Sequence, residues 1–149
     1  MIRSLQSSDI AEVFRIEQAV HVAPWTEEAF RVCIKAGYQG WVMEASERIV
    51  GFIVISFSLD ECHILNLCVE HAFQRQGLGR ELLVHALRHA MGQGMQIAWL
   101  EVRRSNLKAI SLYQKMKFQQ VGERKGYYAT VAGAEDALVF AIDLHQETV

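Results

Sequence analysis

Residues 67–80, Leu-Cys-Val-Glu-His-Ala-Phe-Gln-Arg-Gln-Gly-Leu-Gly-Arg, hold the chemistry that is easiest to name. An apolar run passes through a polar loop with two glycines into an amphipathic segment. Main-chain N–H groups at a helix start have no partner within the helix and, with the helix dipole, attract an anion. Gly77 and Gly79 let a ligand approach the backbone with no Cβ in the way. Arg75 and Arg80 add positive charge. The pattern predicts a diphosphate at this helix N-terminus. A Walker loop would need a Gly-Lys-Ser/Thr ending, which is missing here. A dinucleotide fold would find Glu101 at a suitable distance, but Leu82 stands at its third glycine position. That fold also wants its first glycine directly after the strand, and seven residues separate Val69 from Gly77. A glycine-softened loop that binds nothing is the bland alternative.

Other reactive residue types are sparse. Glu101 is the sole acidic residue in the apolar run 97–102, so it either faces solvent at a strand end or does chemistry. Tyr113 lies among Ile110 and Met116, where periodicity alone favours a core aromatic. Cys33, Cys62 and Cys68 sit in apolar settings with no legible Cys-His pairing, which points to core thiols rather than a nucleophile. Cys62, His63, Cys68 and His71 fit no structural zinc spacing, so no metal is expected. His85 and His89 read as solvent-facing.

The elements that must position these residues follow from periodicity. Strands are expected at 2–5, 41–45, 49–57, 64–69, 97–102, 118–122 and 137–143. Ser46-Glu47-Arg48 suits a hairpin turn. Ser7, Ser8 and Asp9 can cap a helix with Ile10, Val13, Phe14 and Ile16 on its apolar face. Pro24 and Trp25 break the chain, and Thr26 can start a second helix to about Lys35. A third helix runs from Gly77, with Leu82, Leu83, Ala86, Leu87, Ala90 and Met91 at helical spacing, to Gly92 and Gly94. Ser105 or Asn106 caps a fourth. Hairpin strands first and a strand–helix–strand crossover later predict an α/β fold: a mixed central sheet of about seven strands flanked by about four helices.

The chain has 149 residues, enough for one domain, and 51% are hydrophobic, which excludes disorder. Fifteen basic and 17 acidic residues leave a formal charge of −2, so there is no global footprint for nucleic acid. The longest apolar stretch, residues 49–59, falls well short of the roughly 20 residues of a membrane helix. The N-terminal residues lack the apolar core of a signal peptide, and three cysteines form no disulfide framework. A cytoplasmic protein without membrane attachment is expected.

The run Gln74-Arg75-Gln76-Gly77-Leu78-Gly79 resembles the Gln/Arg-x-x-Gly-x-Gly/Ala signature of the GNAT acetyltransferases. The resemblance extends along nearly the whole chain. Pro24-Trp25-Thr26, Trp99-Leu100-Glu101-Val102-Arg103, Ser105-Asn106 with Ala109-Ile110, Tyr113, Tyr127-Tyr128 and Glu135-Asp136-Ala137 look like the RimI branch. That branch acetylates the N-terminal alanine of a small-subunit ribosomal protein.

The resemblance implies a single GNAT-type domain over residues 1–149, with acetyl-CoA as co-substrate. The amides of Arg75, Gln76, Gly77, Leu78, Gly79 and Arg80 would cradle its pyrophosphate. The strand end Leu67, Cys68 and Val69 would splay from the next strand to admit the pantetheine arm, and Asn106 would contact that arm. Glu101 matches the general base and Tyr113 the general acid. Tyr113 lies seven positions after Asn106, about two helical turns and roughly 10 Å on one face. An α-amino group has an ordinary pKa of roughly 7.7–8.0, so a base must take its proton near neutrality. Trp25, Tyr127 and Tyr128 would wall a peptide groove, the tyrosines from the hairpin between the last two strands. Trp25 as a helix-turn staple and the tyrosines as hairpin filling are the bland readings. Glu17, Glu27 and Glu28 read as a solvated charged face. The same fold also serves small-amine acetyltransferases, and a non-catalytic acyl-CoA-binding module is a further alternative. Two departures from the family stand out. Lys117 replaces the glycine of the usual Leu-Gly-Phe helix end, which predicts a left-handed lysine at a cost of roughly 1 kcal/mol. Ala129 replaces a common proline.

Overall fold

The computed structural model describes residues 1–130 and 132–144. Seven strands and four helices follow one another as β1 (Ile2–Ser4), α1 (Ile10–Val20), α2 (Glu27–Lys35), β2 (Gln39–Ala45), β3 (Arg48–Ser58), β4 (Glu61–Val69), α3 (Leu78–Gly92), β5 (Ile97–Arg103), α4 (Leu107–Lys115), β6 (Gln119–Thr130) and β7 (Gly133–Asp143). Short 3-10 turns at Ser7–Asp9 and His71–Phe73 precede α1 and follow β4. The strand order is β1-β2-β3-β4-β5-β7-β6. The β4–β5 pair is parallel, while β1–β2, β2–β3, β5–β7 and β6–β7 are antiparallel. This is the expected mixed sheet.

Two compact units make up the chain: Met1–Ser56 with Leu65–Ala86, and Phe57–Ile64 with Leu87–Val149. In the first, α1 buries Ile10, Val13 and Ile16, and α2 buries Phe30, whose ring meets Trp25 at 5.1 Å and Phe52 edge-on at 5.5 Å. Full burial of a side chain such as Phe30 contributes about 2–3 kcal/mol. Thr26 starts α2 by accepting the Ala29 N–H at 3.1 Å. The β2–β3 turn is tighter than expected. Ser46 and Glu47 both take positive φ, 53° and 62°, and Arg48 already pairs with Ala45. A two-residue turn of this hand matches the strand twist.

In the second unit, α3 closes at Gly94 (φ 83°) rather than Gly92, its last helical residue. Asn106, not Ser105, caps α4, its Oδ1 accepting the Ala109 N–H at 3.2 Å. Lys117 is left-handed (φ 76°) as expected, and Phe118 N–H returns to the Tyr113 carbonyl at 3.0 Å.

The final hairpin differs most from expectation. Strands expected at 118–122 and 137–143 run as Gln119–Thr130 and Gly133–Asp143. Residues 119–127 of β6 are all exposed, so no apolar alternation marks this edge strand, and pairing with β7 defines it instead. Its register slips between Arg124↔Ala137 and Tyr128↔Glu135, leaving Lys125, Gly126 and Tyr127 opposite Asp136. Asp136 Oδ1 accepts the Gly126 N–H at 2.9 Å, and Gly126 has φ 60°. The tyrosines therefore flank a bulge inside a strand and do not form the hairpin tip.

Candidate active site

The first unit carries the anion loop. β4 leads into it with Asn66 and Cys68 buried and Leu67 and Val69 half-buried. The parallel ladder with β5 runs from Glu61↔Ile97 to Ile64↔Leu100, and residues 65–69 continue beyond it. Gln74, which opens the glycine signature, turns back to donate from Nε2 to the Val69 carbonyl at 2.8 Å. Glu70 is clamped by Arg48 at 2.7 Å and Arg15 at 3.2 Å. The Arg48 guanidinium holds its carboxyl below the usual range and also lies 5.3 Å from the Phe73 ring centroid. These contacts shape the loop without using Arg75 or Arg80, which stay exposed.

Two left-handed residues then curl the backbone, Arg75 at φ 65° and Gly77 at φ 82°. A Cβ on Gly77 would meet nothing within 4 Å, so its glycine answers to backbone angle, not crowding. The first α3 bond comes from Glu81 N–H to the Gly77 carbonyl at 3.0 Å. The N–H groups of Leu78, Gly79 and Arg80 thus have no acceptor within the helix. Arg75, Gln76 and Gly77 are exposed, and Leu78 and Gly79 half-buried. The loop fits a diphosphate: open donors, a helix N-terminus and two flanking arginines.

A second polar cluster in this unit escaped sequence reading. Glu17, expected on a solvated face, is 0% exposed. Its carboxylate accepts from Asn66 Nδ2 at 3.0 Å and the Trp25 main-chain N–H at 3.0 Å, and it pairs with His21 Nδ1 at 3.1 Å. Burial pushes the Glu17 carboxyl up, but the donors, led by His21, outweigh it and hold the group below its ordinary value. The position was legible: Ile10, Val13 and Ile16 define the buried stripe, and 17 falls on it. Trp25 thus acts as the staple of the α1–α2 turn, its ring on Phe30 and its N–H on Glu17. Donor atoms of Glu17, His21 and Cys68 lie within 4.8 Å of one another, although the carboxylate already has three partners. Burial raises the Cys62 thiol to about 12 and also pushes up those of Cys33 and Cys68, which suits inert core thiols.

The second unit carries the carboxylate. β5 alternates, with Ala98, Leu100 and Val102 buried and Trp99, Glu101 and Arg103 on the opposite face. Glu101 neither faces solvent nor stands alone. Its side chain is 9% exposed, with Arg124 Nε 2.5 Å from Oε2 and His63 Nε2 3.4 Å from Oε1. The Arg124 contact is an ion pair without hydrogen-bond alignment. His63 stacks on Trp99 with ring centroids 3.7 Å apart and planes 5° apart, as their pairing across the parallel ladder requires. Burial drives the His63 ring below its ordinary value, more strongly than Glu101 raises it.

Arg124 also covers the Tyr127 ring at 5.3 Å, and Arg103 covers Tyr128 at 4.4 Å while pairing with Glu135 at 3.3 Å. Burial lifts the Tyr128 hydroxyl to about 12. Tyr113 is buried against Phe118 and Phe140, and burial pushes its hydroxyl well up. Asn106 is exposed, with its oxygen committed to the α4 cap. His85 and His89 are not simply solvent-facing: they pack on Trp41 at 5.3 Å and Phe57 at 6.1 Å. His63 and Arg124 were missed as partners of Glu101. His63 lies just before the strand expected at 64–69, and Arg124 in a charged run with no periodicity.

One unit thus presents an open anion loop before a helix and the other a buried carboxylate on a sheet strand, features that suit a group-transfer enzyme with a phosphate-bearing donor. Comparison with known proteins narrows that class. The profile of the acetyltransferase (GNAT) family matches residues 10–118. The ribosomal protein bS18-alanine N-acetyltransferase of Escherichia coli K12 is 36% identical over 143 residues, 96% of this chain and 97% of that protein. The crystal structure of the Escherichia coli ribosomal-protein-S18-alanine N-acetyltransferase superposes with a TM-score of 0.92 at 35% identity, covering 98% of this chain and 94% of that one. Arabidopsis thaliana NAA60, solved in complex with acetyl-CoA, shares the fold at a TM-score of 0.85 and 20% identity, covering 97% and 98%. The chain belongs to the GNAT acetyltransferase family.

Proposed function

We propose that this enzyme transfers the acetyl group of acetyl-CoA to the N-terminal α-amino group of a protein, namely the N-terminal alanine of a small-subunit ribosomal protein. Transfer is direct, in a ternary complex, and takes place in the cytoplasm. Residues 1–149 act as one transferase domain. The observation that carries the chemistry is Glu101, a carboxylate kept from solvent on a sheet strand yet held between cationic or basic groups. The substrate follows from the likeness to enzymes named for that alanine, which spans 96% of the chain.

Acetyl-CoA supplies an activated acyl carbon and a thiolate leaving group. The main-chain N–H groups of Arg75 to Arg80 hold its diphosphate, aided by the α3 dipole. The strand end Leu67, Cys68 and Val69 lies along the pantetheine arm, and the Asn106 amide contacts it. Glu101 accepts the proton of the incoming ammonium, which frees the nitrogen lone pair. Tyr113 gives its proton to the departing sulfur. Burial pushes its hydroxyl up, so the proton is held until the more basic thiolate develops beside it. Trp25, Tyr127 and Tyr128 are assigned to the peptide side by the resemblance, as aromatic walls that would favour a small first side chain.

Mass spectrometry of the alanine-starting ribosomal protein, incubated with enzyme and acetyl-CoA, tests the substrate. One acetyl group should appear on its first residue, and an unchanged mass overturns the reading. A panel of alanine-starting peptides against polyamines and aminoglycosides separates peptide from small-amine acetylation. Glu101→Gln should lower kcat by about 100-fold or more, most severely where the amine is largely protonated. An unaltered pH–rate profile removes Glu101 from the role of base.

A further inference from the structure

Arg124 covers Oε2 of Glu101, which leaves Oε1, and Oε1 faces His63 at 3.4 Å. The His63 ring cannot turn freely, because it lies flat on Trp99. It is also the more open member of the pair, at 23% side-chain exposure against 9% for Glu101, so a proton on it has a way out to solvent. An imidazolium at this place would gain from the carboxylate and from the face of the indole, against burial and the Arg124 charge, which act the other way.

We infer that His63 stores the proton that Glu101 takes from the incoming amine, so that the proton acceptor of this enzyme is a His63–Glu101 pair braced by Trp99. The inference rests on the reading of Glu101 as base given above. The step balances simply. An ammonium N–H bond breaks and its electron pair stays on nitrogen. The proton passes by Oε1 of Glu101 to Nε2 of His63, where a new N–H bond forms. The carboxylate ends the step anionic, between imidazolium and guanidinium, and His63 later releases the proton to water. His63 thus acts through Glu101 and is a positioning residue that never touches the substrate.

The charged and titratable groups around His63 are few. Glu101 faces it from β5 and Arg124 from β6, and Glu61 lies two residues along its own strand on the same face. Tyr128 of β6 stands within the field of Glu101. Burial keeps the ring neutral before the reaction, as a proton store must be.

The test uses the full chain, acetyl-CoA and an alanine-starting peptide. His63→Phe keeps an aromatic ring for Trp99 but holds no proton, and His63→Gln keeps polarity without basicity. Both should lower kcat about tenfold, leave the KM for acetyl-CoA within about twofold, and remove one ionisation from the acid limb of the kcat profile. If both retain the wild-type acid limb while Glu101→Gln is impaired, the proton store is wrong and the base reading stands. If Glu101→Gln keeps wild-type rates at every pH, the base reading fails and takes this inference with it. A variant that fails to fold leaves a second measurement on the wild-type ring. The NMR titration of His63 should shift between wild type and Glu101→Gln, and identical titrations overturn the pairing.

Discussion

Glu17 decides more of the local structure than any residue with an assigned chemical role. A buried ionised carboxylate survives only if its lone pairs are met, and here one side chain, one ring and one main-chain N–H meet them. Removing it strands the Asn66 amide and the Trp25 N–H in the interior. Glu17→Ala should therefore cost about 3 kcal/mol in chemical denaturation. A loss below about 0.5 kcal/mol, the size of an ordinary surface change, would mean that water already satisfies the pocket. At this scale residue identity is a poor guide to environment. Glu17 and Glu101 both look like solvated acids on a hydropathy plot, yet both are buried: Glu101 by partners on β4 and β6, and Glu17 by Asn66 far along the chain together with nearby His21 and Trp25. Tyr113 is the converse, since its core packing was legible from Ile110 and Met116, and the structure buries it against Phe118 and Phe140.

At the scale of elements, local chemistry was read correctly where it sits within a few residues. Thr26 and Asn106 cap their helices, Gly94 closes α3, and Lys117 takes the left-handed turn where the family usually has glycine. Replacing that lysine relieves a conformation that side chains resist. Lys117→Gly should raise stability by about 0.5–1 kcal/mol, because strain relief outweighs the extra freedom of the unfolded glycine. A lower thermal midpoint would show that the Lys117 side chain contributes more than its backbone costs. β6 was underestimated for a physical reason. An exposed edge strand owes its existence to the hydrogen bonds of its neighbour, so Gly-Glu-Arg-Lys-Gly carries no signal of its own until β7 lies beside it. The same holds for the start of β4, whose Glu61 and His63 pair with Ile97 and Trp99.

Across the whole molecule the groups that titrate below neutrality and shift clearly all shift downwards. His63 is held below its ordinary 6.5 by burial. Its contribution is complete above about 6.5 and is lost as pH falls, because the unfolded chain binds the proton first. Asp9 is held below 3.8 by Arg3, and Glu70 below 4.5 by Arg48. The donors around Glu17 hold it below 4.5 against the effect of burial. Their contributions persist above those ordinary values and fade as pH drops through the lowered ones. Urea midpoints should thus be level from about pH 7 to about pH 8.5, decline gently towards about pH 5 and fall steeply below about pH 4.5, and decline again above about pH 9, where the unfolded chain gives up cysteine and tyrosine protons that the folded chain keeps. A midpoint that rises on acidification below about pH 7 would contradict the sign of the histidine and carboxylate shifts.

The amino-acid order alone carried the α/β class and the strands and helices found among the described residues, written in short-range periodicity, capping and glycine placement. Its motifs carried the resemblance to the family. Only the folded chain decided the company that the carboxylates keep: His63 and Arg124 around Glu101, and His21, Asn66 and Trp25 around Glu17. His63, Arg124 and Asn66 reach their carboxylates through strand register and helix packing, which couple positions far apart in the chain, while His21 and Trp25 lie close to Glu17 in sequence but meet it only once the α1–α2 turn has closed.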